Sequence, residues 1–190
     1  MVCHPTQPAQ LHHSQHTGTM IASASEDGVI SLWSKSLATQ RSVVVQDDHA
    51  ILQLSWDRSS TALAAVAGSA LLLCTLQGSS CTRLAAAHDA LALAVDWGAS
   101  TDRVLTGGED CRYRLWSREG QRLFSSQPLH APVTCVAWAP SRDAFAVGVQ
   151  DTVMLCSVHG PPLCKVCGLT GPMCHTGMLH VLDTQRIHVL

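Results

Sequence analysis

The chain has 190 residues, enough for one sizeable core and short for two. Charged residues make up 14% of it, against the roughly 25% usual in soluble proteins, and the formal net charge is −2, so the charge balance favours neither nucleic acid nor an anionic membrane surface as a partner. Nine cysteines, with no basic and apolar signal segment at the start, predict free thiols in a reducing compartment rather than a disulfide framework.

Residues 1–17 are rich in Pro, Gln and His and show no periodicity, so they are expected to be disordered or poorly packed, with any metal affinity at His4, His12, His13 and His16 adventitious. Segment 21–33, "IASASEDGVISLW", reads as two short strands around a Glu-Asp-Gly turn, closing at Trp33. No V-x-W strand precedes Gly18, so this unit reads as incomplete.

Residues 59–82 carry no charge and require a test as a membrane span. Gly68, Ser69, Gln77 and Gly78 interrupt the run, leaving about 15 loosely continuous apolar positions against the roughly 20 that a crossing helix needs. Its two apolar runs, Leu63 to Ala67 and Ala70 to Leu76, have the length of buried strands.

Residues 91–126 give the clearest unit: "LALAVDW", "DRVLTG", "CRYRLW" and "QRLFSS" are strands separated by Ser/Asp, Gly-Glu-Asp and Glu-Gly turns. Alternation sends Tyr113 and Leu115 to one face and Arg112, Arg114 and Trp116 to the other. With Arg118 and Arg122, the arginines of this stretch are expected on a solvated or partner-facing edge. Neither face of a four-stranded sheet can be buried by the sheet itself, so the unit must stack on copies.

Copies are present. Trp56, Trp97 and Trp138 are spaced by 41 residues, and Trp33, Cys74, Trp116 and Cys156 form a second series with steps of 41, 42 and 40. His49, His88 and His130 form a third, each seven to nine residues ahead of a tryptophan. Four-strand units of about 40 residues are the signature of propeller blades. The expected class is all-β, a partial propeller of about three and a half four-stranded blades with irregular ends. The expected organisation is a stretch at 1–17, propeller over 18–157 and an irregular tail over 158–190.

"VLTGGEDCRYRLW" at 104–116 and "IASASEDGVISLW" at 21–33 resemble the WD40 repeat. That resemblance implies a hydrogen-bonded tetrad within one blade, here His88, Thr106, Asp110 and Trp116, alongside the blade tryptophans Trp33, Trp56, Trp97 and Trp138. Departures are clear: Ala87 precedes His88 where the family has Gly, Ser34 and Ser117 follow the tryptophans where it has Asp, and two units end in cysteine, lack the full tetrad and run one residue short. The non-consensus phrases "HDALALAVDW", "GGEDCRYRLW", "SSQP" and "VTCVAWAP" resemble the intraflagellar transport group within this family. By that resemblance the chain would be a non-catalytic scaffold without cofactors. Its partners would be protein subunits of intraflagellar transport complex B, and its place the cilium, ciliary base and cytoplasm.

Glu109-Asp110 reads as turn scaffolding, because aspartates in tight turns accept backbone hydrogen bonds. Recognition is expected from loops 46–50, 86–90 and 127–132, since loops on a rigid scaffold carry contacts. Cys164 and Cys167, with Cys174 and His175, have the ligand types of a zinc site, but adjacent Cys174 and His175 would project in opposite directions from a strand; free thiols in the tail are the expected state. The competing readings are a small zinc-binding or redox protein built on these residues, and a WD40 adaptor of another pathway, such as a ubiquitin-ligase receptor or coat subunit. About three and a half blades, against four to eight in closed propellers, reads as a truncated gene model, splice product or partial sequence.

Overall fold

The structure is a computed structural model that describes residues 10–13, 20–34, 40–43, 48–76, 80–84, 86–98, 101–139 and 144–167. These residues form four antiparallel four-stranded sheets, each a meander whose strands pair in chain order. Blade 1 comprises β1 (Gln10–His13), β2 (Met20–Ala24), β3 (Ile30–Ser34) and β4 (Gln40–Val43). Blade 2 comprises β5 (Ile51–Trp56), β6 (Ala62–Ala67), β7 (Ala70–Thr75) and β8 (Ser80–Leu84). Blade 3 comprises β9 (Ala92–Trp97), β10 (Arg103–Gly108), β11 (Tyr113–Ser117) and β12 (Arg122–Ser125). Blade 4 comprises β13 (Cys135–Trp138), β14 (Ala144–Val149), β15 (Thr152–Ser157) and β16 (Pro162–Cys167).

The all-β propeller architecture stands, with four sheets in place of the expected three and a half. Strand pairing runs from Gln10 to Cys167, wider than the expected 18–157. Blade 1 is completed by β1, which pairs with β2 through a backbone ladder that needs no V-x-W side-chain pattern. At the other end Gly160, at φ +115°, turns the chain after β15. The strand β16 then starts at Pro162, a position where the missing N–H costs no ladder bond. Leu163, Cys164 and Lys165 on this outermost strand are all exposed, so no buried alternation marks the strand in the sequence.

The tryptophans at the ends of the first strands occupy equivalent places: Trp56 pairs with Leu63, Trp97 with Val104 and Trp138 with Phe145. Packing between blades supplies three cores. Ile30, Leu32, Leu54, Trp56 and Leu72 fill the seam between blades 1 and 2. Leu71, Leu73, Val95, Trp97 and Trp116 fill the next, and Leu105, Tyr113, Leu115, Phe145 and Val147 the third. Each large apolar side chain removed from water here contributes about 1.5–3 kcal/mol.

Blade 2 lies between two neighbours, which explains the uncharged stretch 59–82: both faces of β6 and β7 are covered, so consecutive residues from Ala62 to Ala67 are all buried. Among the described residues no helix is long and apolar enough to cross a membrane.

The start of each blade is tied to the end of the second strand of the blade before it by one backbone bond that recurs at each seam. Ile51 N–H donates to Ser25 C=O, Ala92 N–H to Gly68 C=O and Val133 N–H to Gly108 C=O. A side chain at Gly107 would strike Val133, so glycine there lets the segment leading into β13 approach β10.

Candidate functional site

Loop 86–91 and the turn 109–112 lie at one end of blade 3, and a buried polar set holds them together. The neutral imidazole of His88 donates from Nδ1 to Asp110 Oδ1 at 2.9 Å, and its Nε2 accepts the hydroxyl proton of Thr106 at 2.8 Å. Trp116 Nε1–H donates to the same Thr106 oxygen at 3.0 Å. Donation therefore runs one way, Trp116 to Thr106 to His88 to Asp110, and satisfies every polar atom of the three donors. Burial holds the His88 pKa below its ordinary value, which keeps the ring in the neutral form this pattern requires.

Asp110 is the collecting point. It also accepts Asp89 N–H at 3.1 Å, Arg112 N–H at 3.2 Å and Arg114 Nη2 at 3.0 Å. Burial alone would raise its pKa, but the bonds from His88 and Asp89 and the charge of Arg114 outweigh it, and the carboxyl titrates below its ordinary range. Glu109, its neighbour, is exposed.

Arg114 corrects one expectation. Placed by the sequence on a solvated or partner-facing edge, it is only 4% exposed. Its guanidinium donates to Ala87 C=O and pairs with Asp110 and with the exposed Asp89 at 3.0 Å, so it clamps loop 86–90 from beneath. Arg118 is one-third exposed and Arg112 donates to Ser126 C=O; of the four arginines only Arg122 stands fully on the surface. Alternation placed Arg114 on the Trp116 face, but the presence of a neighbouring blade over that face determines that it is buried.

The connectivity Asp110–His88–Thr106 is that of an orienting acid, a base and a hydroxyl, as in hydrolytic triads. Thr106 is 0% exposed, and its oxygen already donates to His88 and accepts from Trp116. No substrate can reach it. The set therefore ties strands β10 and β11 to the loop above them.

The set is partial elsewhere. In blade 1 Trp33 Nε1–H donates to Ser23 Oγ at 3.0 Å, the counterpart of Trp116 and Thr106. In blade 2 the position of Thr106 is Ala65 and that of Trp116 is Cys74. His49 and His130 are exposed, unlike His88; a side chain on Gly68 would come within 2.8 Å of the His49 ring.

Two buried or half-buried acids, Asp57 and Asp96, were not singled out by the sequence, and Arg118, expected on a solvated or partner-facing edge, pairs with the first of them. Asp57, only 1% exposed, accepts Thr61 N–H at 2.7 Å, Ala62 N–H at 3.0 Å and the hydroxyls of Ser59 and Thr61. Arg118 of blade 3 reaches Asp57 at 3.1 Å and Asp102 at 2.9 Å, and lies over the Trp97 ring at 5.5 Å. Asp96 accepts Ser55 Oγ–H from blade 2 at 3.0 Å and Trp138 N–H from blade 4 at 2.7 Å. The literal Trp56-Asp57 pair was a signal for Asp57; nothing in the period marks Asp96 or the reach of Arg118 into another blade.

Loops 86–90 and 127–132 are described, as are residues 48–50 of the third expected loop; residues 46 and 47 lie outside the described residues. Asp89, Gln127, Pro128, His130 and Pro132 are exposed on them. Cys164 and Cys167 fall on β16 in place of an irregular tail, while Cys174 and His175 lie outside the described residues. Among the described residues no group of three His, Cys, Asp or Glu side chains is placed to hold a metal ion. The expectation of free thiols fails at one place, since Cys74 and Cys81 are joined as a disulfide.

Comparison with known proteins agrees with this geometry. The family pattern of the WD domain, G-beta repeat (WD40), matches residues 10–34 and 78–117. The intraflagellar transport protein 80 homolog of Mus musculus is 37% identical over 145 residues, 76% of this chain, and that of Rattus norvegicus matches equally. The chain spans 18% of the length of these relatives. Actin-related protein 2/3 complex subunit 1A of Arabidopsis thaliana is 30% identical over 73 residues, 36% of this chain and 19% of its own. A chain in the crystal structure of the mitotic checkpoint complex superposes with a TM-score of 0.77 at 18% identity, covering 87% of this chain and 52% of that one. That last likeness speaks to the fold alone.

Proposed function

The chain belongs to the WD40 repeat family, and from that premise we propose that it is a non-catalytic protein-interaction scaffold, part of an intraflagellar transport complex B subunit acting in cilium assembly. The observation that carries this reading is the 37% identity to intraflagellar transport protein 80 homologs across 76% of the chain. The match to the actin-related complex subunit covers only 36% and is what shared repeats alone would give.

In this reading the partners are other protein subunits of complex B, and the chain works at the cilium, at its base and in the cytoplasm. Binding needs a surface whose shape does not have to be ordered at the moment of contact, because ordering side chains and loops subtracts from affinity. Arg114 and Asp110 provide that for loop 86–90 by fixing it through Ala87 C=O and Asp89 N–H. The bond from Leu129 N–H to Cys111 C=O at 2.7 Å does the same for loop 127–132.

The test is proximity labelling with the tagged chain in ciliated cells, read by mass spectrometry, beside a Glu109→Arg variant that reverses charge at an exposed position of this end. Enrichment of complex B subunits, reduced by the variant, is the expected result. Enrichment of coat or ubiquitin-ligase subunits instead, or labelling equal to the untagged control, would overturn the reading.

A further inference from the structure

Blade 2 lacks the side-chain tie that fastens blade 3. In blade 3 the β11 residue Trp116 is bonded to Thr106 of β10, whereas in blade 2 the corresponding residues are Cys74 and Ala65, which cannot form that bond. Cys74 is tied in the other direction. It stands directly opposite Cys81 in the ladder between β7 and β8, and the two are joined as a disulfide. The bridge thus fastens the outermost strand of the blade to its neighbour.

The two cysteines differ in burial. Cys74 is fully buried in the core with Leu63, Ala65 and Leu72, while Cys81 is partly buried and packs at the margin of that core. Blade 4 supplies an internal contrast. Cys156 takes the place of Cys74 and another cysteine follows on the outer strand, but a register shift between Leu155 and Cys156 sets Cys164 opposite Leu155 and Pro162 opposite Cys156. Both remain free thiols. Register, not the presence of two cysteines, decides which pair can close.

We infer that Cys74 and Cys81 form a reversible thiol–disulfide exchange site that latches β8 to β7, with a low-molecular-weight thiol and its disulfide as the exchange couple. A thiolate attacks Sγ of Cys81, the less buried of the two residues; the bond between the two cysteines breaks and Cys74 leaves as thiolate, to be protonated. A second small thiolate then attacks the first small thiol's sulfur in the mixed disulfide; the bond to Cys81 Sγ breaks, the small disulfide departs and the Cys81 thiolate takes up a proton. Two electrons and two protons pass from two small thiols to the protein, and the reverse sequence restores the bridge.

Two features make the site reversible. The cysteines are only seven residues apart, so the bridge closes a short loop and constrains the unfolded chain less than a longer one would. The strands also keep their five-pair ladder from Leu71–Leu84 to Thr75–Ser80, so the thiols stay opposed after reduction and close again without a search. What reduction changes is the security of β8, which leads into loop 86–90.

The inference does not rest on the proposed ciliary role, and its test uses the whole chain. Purified protein is equilibrated with dithiothreitol or with oxidised glutathione, alkylated, and mapped by mass spectrometry, with amide hydrogen exchange followed in parallel. Dithiothreitol is expected to make Cys74 and Cys81 alkylatable together while the circular dichroism stays that of the folded protein. Exchange should quicken across residues 80–84 but not across 92–97, and oxidised glutathione should reverse both changes. The Cys74→Ser, Cys81→Ser double variant should show the faster exchange in either buffer. Resistance of the pair to dithiothreitol until the chain unfolds, persistence as thiols in oxidised glutathione, or exchange across 80–84 that ignores the redox state would each overturn the inference.

Discussion

Asp96 on β9 accepts the backbone N–H of Trp138 on β13 at 2.7 Å, across the seam between blades 3 and 4. One seam earlier Ser55 Oγ accepts Trp97 N–H at 2.9 Å, and Gln53 Oε1 accepts Val95 N–H at 3.0 Å. The first strands of successive blades do not pair by a ladder; side chains ahead of each tryptophan perform the joining. Ala137, which holds the same place in blade 4, has no acceptor to offer.

Burial pushes the Asp96 pKa up to about 6, against the bonds from Trp138 and Ser55 that favour the carboxylate. The folded state therefore binds its proton more tightly than the unfolded chain, and the stability this group contributes is full below about pH 4 and lost as pH rises through about 6. Asp96→Asn keeps an acceptor for Trp138, with Ser55 turning from donor to acceptor, and never ionises. It is expected to stabilise the protein by about 1–3 kcal/mol at pH 7.5. The gain should vanish near pH 4. His88, whose lowered pKa makes stability fall as pH drops below 6.5, contributes equally to both proteins and cancels in the difference. Melting curves at pH 4, 6 and 7.5 check this; a difference independent of pH would count against it.

Thr106→Val preserves shape and removes a hydroxyl that serves two partners. With His88 Nε2 and Trp116 Nε1 left buried and unpaired, the expected loss is about 1–3 kcal/mol. Asp110→Ala should cost more, about 3–5 kcal/mol, because Arg114 stays buried with only the exposed Asp89 as its counter-ion. Urea denaturation followed by circular dichroism measures both. Equal effects would show that Arg114 does not need Asp110.

At the opposite end of the blades, Arg118 and Asp57 are partners of unequal weight. Arg118→Met should cost only about 0.5–1 kcal/mol, since Asp57 keeps four other donors and Arg118 is one-third exposed. Asp57→Ala strips the Thr61 and Ala62 N–H groups at once and should cost about 2–3 kcal/mol. A double-mutant cycle is expected to give a coupling below about 1 kcal/mol. A larger coupling would make the ion pair, rather than the turn, the principal tie.

Cys111 adopts φ +61°, in the place where blade 1 has Gly28 at φ +78°. A side chain in this region is strained by about 1–2 kcal/mol relative to glycine, partly offset by the greater freedom of glycine in the unfolded chain. Cys111→Gly should therefore stabilise the protein by about 0.5–1 kcal/mol in a thermal melt, with no change in the bonds of Asp110. A lower melting temperature would indicate that the Cys111 thiol, which donates to Glu109 C=O at 3.6 Å, matters more than its backbone.

The repeat, the all-β class and the places of Trp56, Trp97 and Trp138 are legible in the chain before it folds, because alternation and turn chemistry are written inside each unit of about 41 residues. The resemblance it carries pointed to His88, Thr106, Asp110 and Trp116, which the folded chain brings within hydrogen-bond reach of one another. The packed blades alone reveal that Arg114 is buried, that Asp96 joins three blades, that Arg118 of one blade reaches Asp57 of another, and that Cys74 meets Cys81 while Cys156 misses Cys164. The strands β1 and β16 belong with these: each pairs with its neighbour in a ladder that no alternation in the sequence marks. A period records what each unit repeats; these contacts depend on which unit lies against which and on single-residue register, and both arise only when the blades pack.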